Sequence, residues 1–224
     1  MEKITLTKKD FKDGIYIGKS DLNNMHGNII IENEGRCIFY DNLFASGSII
    51  ARGDLVLYGR IIHAGKCIEV NGDMSANGDI EANGSIIVGG SITADGRIWS
   101  EQYISAEEIS SKEHISAGEY IDAREGISAK DYIVSVGNIR TDGNIVAKDY
   151  IWSAKGWISA GKNIRSFGGI TAGIMIGAGG TIDCGAKILA GVAPFYRPDE
   201  KHGKIKCRRL LSGEIAYGDL VITK

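Results

Sequence analysis

The chain has 224 residues, 31 of them glycine and only 2 proline, with 43% hydrophobic side chains and 26 basic groups against 28 acidic ones. That length can bury a continuous core, and a formal charge of -2 gives no overall bias toward nucleic acid or an anionic membrane surface. No run is long and apolar enough to span a bilayer and the opening MEKITLTKKD is polar, so a soluble, cytoplasmic protein with no membrane partner is expected.

Residues 1-46 carry no clear repeat and read as an N-terminal cap. Within them NIIIENEGRCIFYD predicts a strand, a turn at Glu34-Gly35 and a second strand. From Gly47 to Gly191 a six-residue beat takes over, as in GDIEAN, GSIIVG, GSITAD, GRIWSE and, later, GNIRTD, GNIVAK, DYIWSA. The third residue of a unit is nearly always Ile and the fifth nearly always Ala or Ser. This alternation is the strand period, with positions three and five pointing inward and two and four outward. Glycine at the first position predicts a bend between strands, where its backbone freedom would be used. A helix is excluded by the frequent glycines and by β-branched Ile at every sixth position.

A unit this small cannot bury its own apolar face and must stack on its neighbours. The expected fold is all-β: a single-stranded parallel β-helix, or β-solenoid, triangular in cross-section, with about three hexads (about 18 residues) per coil. Twenty-four units between Gly47 and Gly191 then make eight coils. Three inward ladders result. One runs from Ile62 through Ile80, Ile98, Ile115, Ile133, Ile151 and Ile170 to Ile188; a second from Ile68 to Ile176; the third from Met74 to Ile182. The five-residue EISSK and the inserted Lys155 are slips expected at corners. Residues 192-224 lose the register. GVAPFYRPDEKHG holds both prolines, and KIKCRRLLSGEIAYGDLVITK predicts two or three strands, turning near Ser212-Gly213 and Gly218-Asp219, as a C-terminal cap or a β-hairpin interaction element.

Catalytic or metal chemistry finds little support. Cys37, Cys67, Cys184 and Cys207 form no CxxC pair, and Cys184 stands at a fifth position where a small buried hydrophobe is expected. His26, His63, His114 and His202 each read as isolated. GAGGT at Gly177-Thr181 lacks the lysine of a phosphate loop. No threonine ladder or aligned acidic cluster is visible on any face. Neither a metal nor a cofactor is expected.

The outward positions carry the distinguishing chemistry. One face presents Arg97 with Trp99, His114, Tyr132, and Tyr150 with Trp152; a second presents Tyr103, Tyr120, Asn138 and Trp157. The third is polar, with Thr93, Glu108, Ser110, Ser128, Asn144 and Asn163. All three tryptophans and four of the nine tyrosines therefore fall on two faces. Such clusters mark partner-binding surfaces, or else stabilise stacked coils as cross-strand ladders. Near the C-terminus Arg197, Lys201, Lys204, Lys206, Arg208 and Arg209 form a basic cluster suited to phosphate, nucleic acid included, or to an acidic protein.

In its period the chain resembles hexapeptide-repeat acyltransferases. Their small residue, however, follows the aliphatic one by four positions rather than two, and their expelled loop and histidine base have no counterpart between Gly78 and Gly191. Units such as GSIIARG, NGDIEANGSIIVGGSITADG and GNIRTDGNIVAKD resemble the bactofilins, polymer-forming bacterial cytoskeletal proteins with right-handed β-helical cores. That resemblance covers about residues 47-191 and implies the fold and a capacity for self-assembly. The Pro-containing tails common in that family are not evident here. The expected function is that of a non-enzymatic binding protein, an adaptor or inhibitor, docking a macromolecular partner, a protein, through the aromatic faces. A self-assembling, homo-oligomeric scaffold is the alternative, and acyl transfer ranks third.

Overall fold

The structure, a computed structural model, describes residues 2-192 and 203-223. The two prolines, His202, Arg197 and Lys201 lie outside the described residues. Among the described residues the protein is an all-β solenoid, 58% strand and without α-helix, and no helix there is long and apolar enough to cross a membrane. It comprises two compact units, Met1–Lys112 and Glu113–Lys224.

In the first unit most strands are three or four residues long and pair in parallel with the strand one coil away. Ile62 lies over Ile80 and Ile80 over Ile98. Likewise Ile49, Ile68, Ile86 and Ile104 form one ladder, and Leu55, Met74, Ile92 and Ile109 another. In the second unit the ladders are Ile115, Ile133, Ile151, Ile170 and Ile188; Ile121, Ile139, Ile158 and Ile176; and Ile127, Ile145, Ile164 and Ile182. Ladder isoleucines from Ile29 to Ile205 are at most 1% exposed. Each contributes about 1.5–3 kcal/mol of burial relative to an exposed side chain. Both slips sit at corners: Ile104 and Ile109 keep their partners around EISSK, and Lys155 donates its N–H to the Val136 carbonyl at 2.8 Å.

The stacking begins upstream of the expected boundary at Gly47. Gly27–Ile31, Cys37–Phe39 and Leu43–Ala45 pair in parallel with Ile49–Ala51, Leu55–Leu57 and Ile61–Ala64. They form a coil in which Cys37, Phe39 and Leu43 occupy inward positions, so the Ile-x-Ala signature is lost although the alternation persists. Glu2–Leu6 lies in parallel on Gly27–Ile31. The cap proper is an antiparallel hairpin, Phe11–Lys12 with Ile15–Tyr16. It turns through Asp13 and Gly14, both at positive φ (51° and 82°), as a two-residue primed turn requires. Phe11 and Tyr16 pack against Phe39, with ring centroids 5.7 and 5.3 Å away.

The C-terminal strands are likewise further coil, and no hairpin forms among the described residues there. Lys204–Cys207, Arg209–Tyr217 and Asp219–Ile222 all run parallel to their neighbours, placing Ile205 over Ile176, Ile215 over Ile188 and Leu220 over Ile205. Gly213 and Gly218, at φ of 114° and 108°, make the corners at the predicted turns.

Three devices hold one coil on the next. Corner glycines serve space rather than backbone freedom: most have ordinary φ, but a Cβ on Gly59 would lie 2.7 Å from the Asp41 carbonyl carbon, and on Gly143 or Gly185 it would coincide with a carbonyl of the coil beside it. Second, Asn and Asp just before a strand accept the backbone N–H of the corner one coil on. Asn42 does so from Arg60 (2.8 Å), Asp73 from Ser91 (2.8 Å) and Asn163 from Thr181 (2.8 Å). Third, where Ser replaces Ala inside, its hydroxyl donates to a corner carbonyl at 2.7 Å: Ser100 to Gly84, Ser135 to Glu119, Ser153 to Gly137. Every buried side-chain polar atom among the described residues has a hydrogen-bond partner, which offsets the desolvation cost of placing it there.

Cys184 occupies the same kind of site, 1% exposed with Sγ 3.1 Å from the Gly168 oxygen. Burial pushes the Cys37 thiol up to about 11 and raises those of Cys184 and Cys207. We therefore expect these three thiols to resist a thiolate-specific reagent at pH 8 until denaturant is added. Because the unfolded chain ionises near pH 9 while folded Cys37 stays protonated to about 11, stability should fall as pH rises through that window. Titration of released thiolate against unfolding midpoint checks both; full labelling of the native protein would contradict the burial.

Candidate functional site

In the first unit the outward face next to the Ile62–Ile80–Ile98 ladder carries a linked set of side chains. Phe44 stacks on His63 (centroids 4.7 Å apart, planes at 12°), and His63 Nδ1 lies 3.4 Å from Glu81 Oε2. Arg97 Nε donates to Glu81 Oε1 at 2.7 Å, with Asp79 Oδ2 at 3.6 Å. Trp99, half-buried, is the in-register neighbour of Glu81. His63 is thus not isolated. Its partner is 18 residues on, one coil, a relation visible in sequence once the outward positions are laid out at the coil period. Tyr103, also half-buried, belongs to this unit.

The second unit holds the remaining aromatics. His114, Tyr132 and Tyr150 each precede a ladder isoleucine and lie one coil apart. They stack face to face, with centroids at 4.5 Å and 5.0 Å and planes within 14° and 8° of parallel. The column is a cross-strand ladder, each ring pair contributing about 0.5–1.5 kcal/mol beyond burial. Desolvation, with Tyr132 and Asp149 nearby, raises the Tyr150 phenol and keeps it a neutral donor. Beside the column, Trp152 is flanked in register by Val134 and Thr171 and is 44% exposed. On the neighbouring face Tyr120 (37% exposed) and Trp157 (39%) sit on either side of Asn138. Together with Ile121, Asp122 and Arg140 they line an open cleft of about 230 Å³.

Of the basic cluster, Lys204 is committed to Asp219 (3.1 Å), whereas Lys206, Arg208 and Arg209 are exposed. Among the described residues no three His, Cys, Asp or Glu side chains are grouped to hold a metal ion. The exposed rings of Tyr120, Tyr150, Trp152 and Trp157 offer apolar contact area on the two faces. No protein-family model, curated protein or solved structure matches the chain.

Proposed function

We propose that the protein is a non-enzymatic binding module, an adaptor or inhibitor, that docks a partner protein on the aromatic faces of its second unit. One observation supports this above the rest: Trp152 stands 44% exposed, in register between Val134 and Thr171 and two residues on from Tyr150 of the stacked column. Contact area held rigid before binding loses little ordering entropy when a partner arrives, and tryptophan is the residue most enriched among interface hot spots.

The test is the affinity of a partner recovered from the native host for two variants. Trp152→Ala should weaken binding about thirtyfold, the equivalent of about 2 kcal/mol, with an unchanged melting transition. Tyr150→Ala should weaken binding and also lower the melting temperature by about 2–4 °C, because it removes a ring from the stack. Unaltered affinity in both variants would overturn the proposal.

A second reading, self-assembly as a scaffold, is favoured by the last coil. Among the described residues Asp219–Ile222 pairs along one edge, with Lys204–Cys207, and Leu211 and Ile222 are 50% and 57% exposed. Open edges of this kind template further strands. Filaments of the purified protein under electron microscopy would promote that reading over partner docking.

A further inference from the structure

The two outward columns of the second unit are built alike, and one lacks a ring. On the first face the residues preceding Ile115, Ile133 and Ile151 are His114, Tyr132 and Tyr150, and their rings stack at 4.5–5.0 Å per coil. On the second face the residues preceding Ile121, Ile139 and Ile158 are Tyr120, Asn138 and Trp157. The backbone spacing is the same, since Ile121 N–H donates to the Asn138 carbonyl and Ile139 N–H to that of Trp157, both at 2.9 Å. The outer residues are thus two strand spacings apart, about 9.5 Å. Asn138 does not fill the gap: its Oδ1 accepts the Trp157 backbone N–H at 3.1 Å, which holds the amide down against the corner. The cleft lies over this missing place.

We infer that this cleft is a receptor for one aromatic side chain of the partner, which completes the column as a third ring between Tyr120 and Trp157. The inference rests on the docking function proposed above. A ring placed midway would have its centroid about 4.8 Å from each neighbour, within the range of stacked aromatic pairs. The rim suits a polar-tipped ring, because Asp122 can accept an indole N–H or phenol O–H and Arg140 can donate to a phenol oxygen. A nucleobase would fit the same gap, but its phosphates need a positive surround. Between Glu113 and Arg165 seven acidic side chains match seven basic ones. The charge balance therefore favours a protein side chain.

The experiment titrates the full-length, isotope-labelled protein with N-acetyl-L-tryptophanamide and, separately, with adenosine monophosphate, following amide and indole resonances. Saturable shifts from the tryptophan probe should centre on Trp157 and Asn138. Asn138→Tyr supplies the missing ring from the chain itself and should weaken the probe at least tenfold. Trp157→Ala removes one wall and should do the same, providing an independent check if the first variant folds poorly. Trp152→Ala should leave probe binding unchanged. Absence of saturable shifts at the cleft, equal binding by Asn138→Tyr, or tighter binding of the nucleotide would each overturn the inference. If the probe ignores the cleft while Trp152→Ala still loses the partner, the receptor assignment fails and the docking function stands. If the probe fills the cleft but Trp152→Ala and Tyr150→Ala keep full partner affinity, the docking function fails and only the capacity for a ring remains.

Discussion

Replacing Ile133 by Asp should cost about 4 kcal/mol or more and lower the melting temperature by about 10 °C, or prevent folding outright. Ile133 is 0% exposed and sits in register between Ile115 and Ile151 inside a column of aliphatic side chains. A carboxylate there would meet neither water nor a cation. Leaving it ionised is prohibitive, and protonating it still buries an unpaired acid. Val134, one residue on, points outward between Ser116 and Trp152. Val134→Asp should therefore cost within about 1 kcal/mol, the loss of some contact on a solvated face. Chemical denaturation of the two variants under one set of conditions checks the pair, and equal midpoints would contradict the inward and outward assignment.

A methyl group at a corner should be nearly as damaging. In Gly143→Ala the new Cβ would occupy the place of the Glu125 carbonyl oxygen in the coil beside it. Gly143 is not among the glycines at positive φ, so the penalty is one of space alone. Relief requires two corners to separate, which stretches the parallel pairing on both sides of the bend, at about 3 kcal/mol. Gly177→Ala is the internal control. There the heavy atom nearest to the added methyl would be Met175 Cε at 3.9 Å, and the φ is ordinary. That substitution should be neutral or stabilise by up to about 1 kcal/mol, because alanine restricts the unfolded chain. Opposite signs for the same chemical change, read as shifts in unfolding midpoint, follow only if corner stacking is what demands glycine.

These two sites show where the fold is legible. Ile133 can be placed from the sequence because strand alternation and a six-residue unit leave one inward position for a bulky β-branched residue. Gly143 can be placed too, but for a reason of backbone angle that the structure replaces with close approach. The coil around Cys37, Phe39 and Leu43 is hidden because inward sites at that end accept several apolar shapes, so alternation survives there without the chemistry of Ile and Ala. The link from His63 to Glu81 spans one coil, and it emerges only when outward residues, as well as inward ones, are aligned at that spacing. The aromatic faces follow directly from positions two and four. The cleft between Tyr120 and Trp157 does not, since it depends on Asn138 turning its amide to a corner N–H, a choice of rotamer that no pattern of residue types expresses.

Hydroxyl-radical footprinting of the free and bound protein reports whether the partner covers the aromatic faces of the second unit. Trp152, Trp157 and Tyr150 are 44%, 39% and 36% exposed and should all be oxidised in the free protein. Tyr40 and Tyr58, stacked on each other in the first unit and 61% and 45% exposed, serve as reporters remote in sequence from the proposed surface. Partner binding should protect Trp152, Trp157 and Tyr150 at least several-fold while Tyr40 and Tyr58 react as before. Protection of Tyr40 and Tyr58 with undiminished oxidation of the two tryptophans would contradict it.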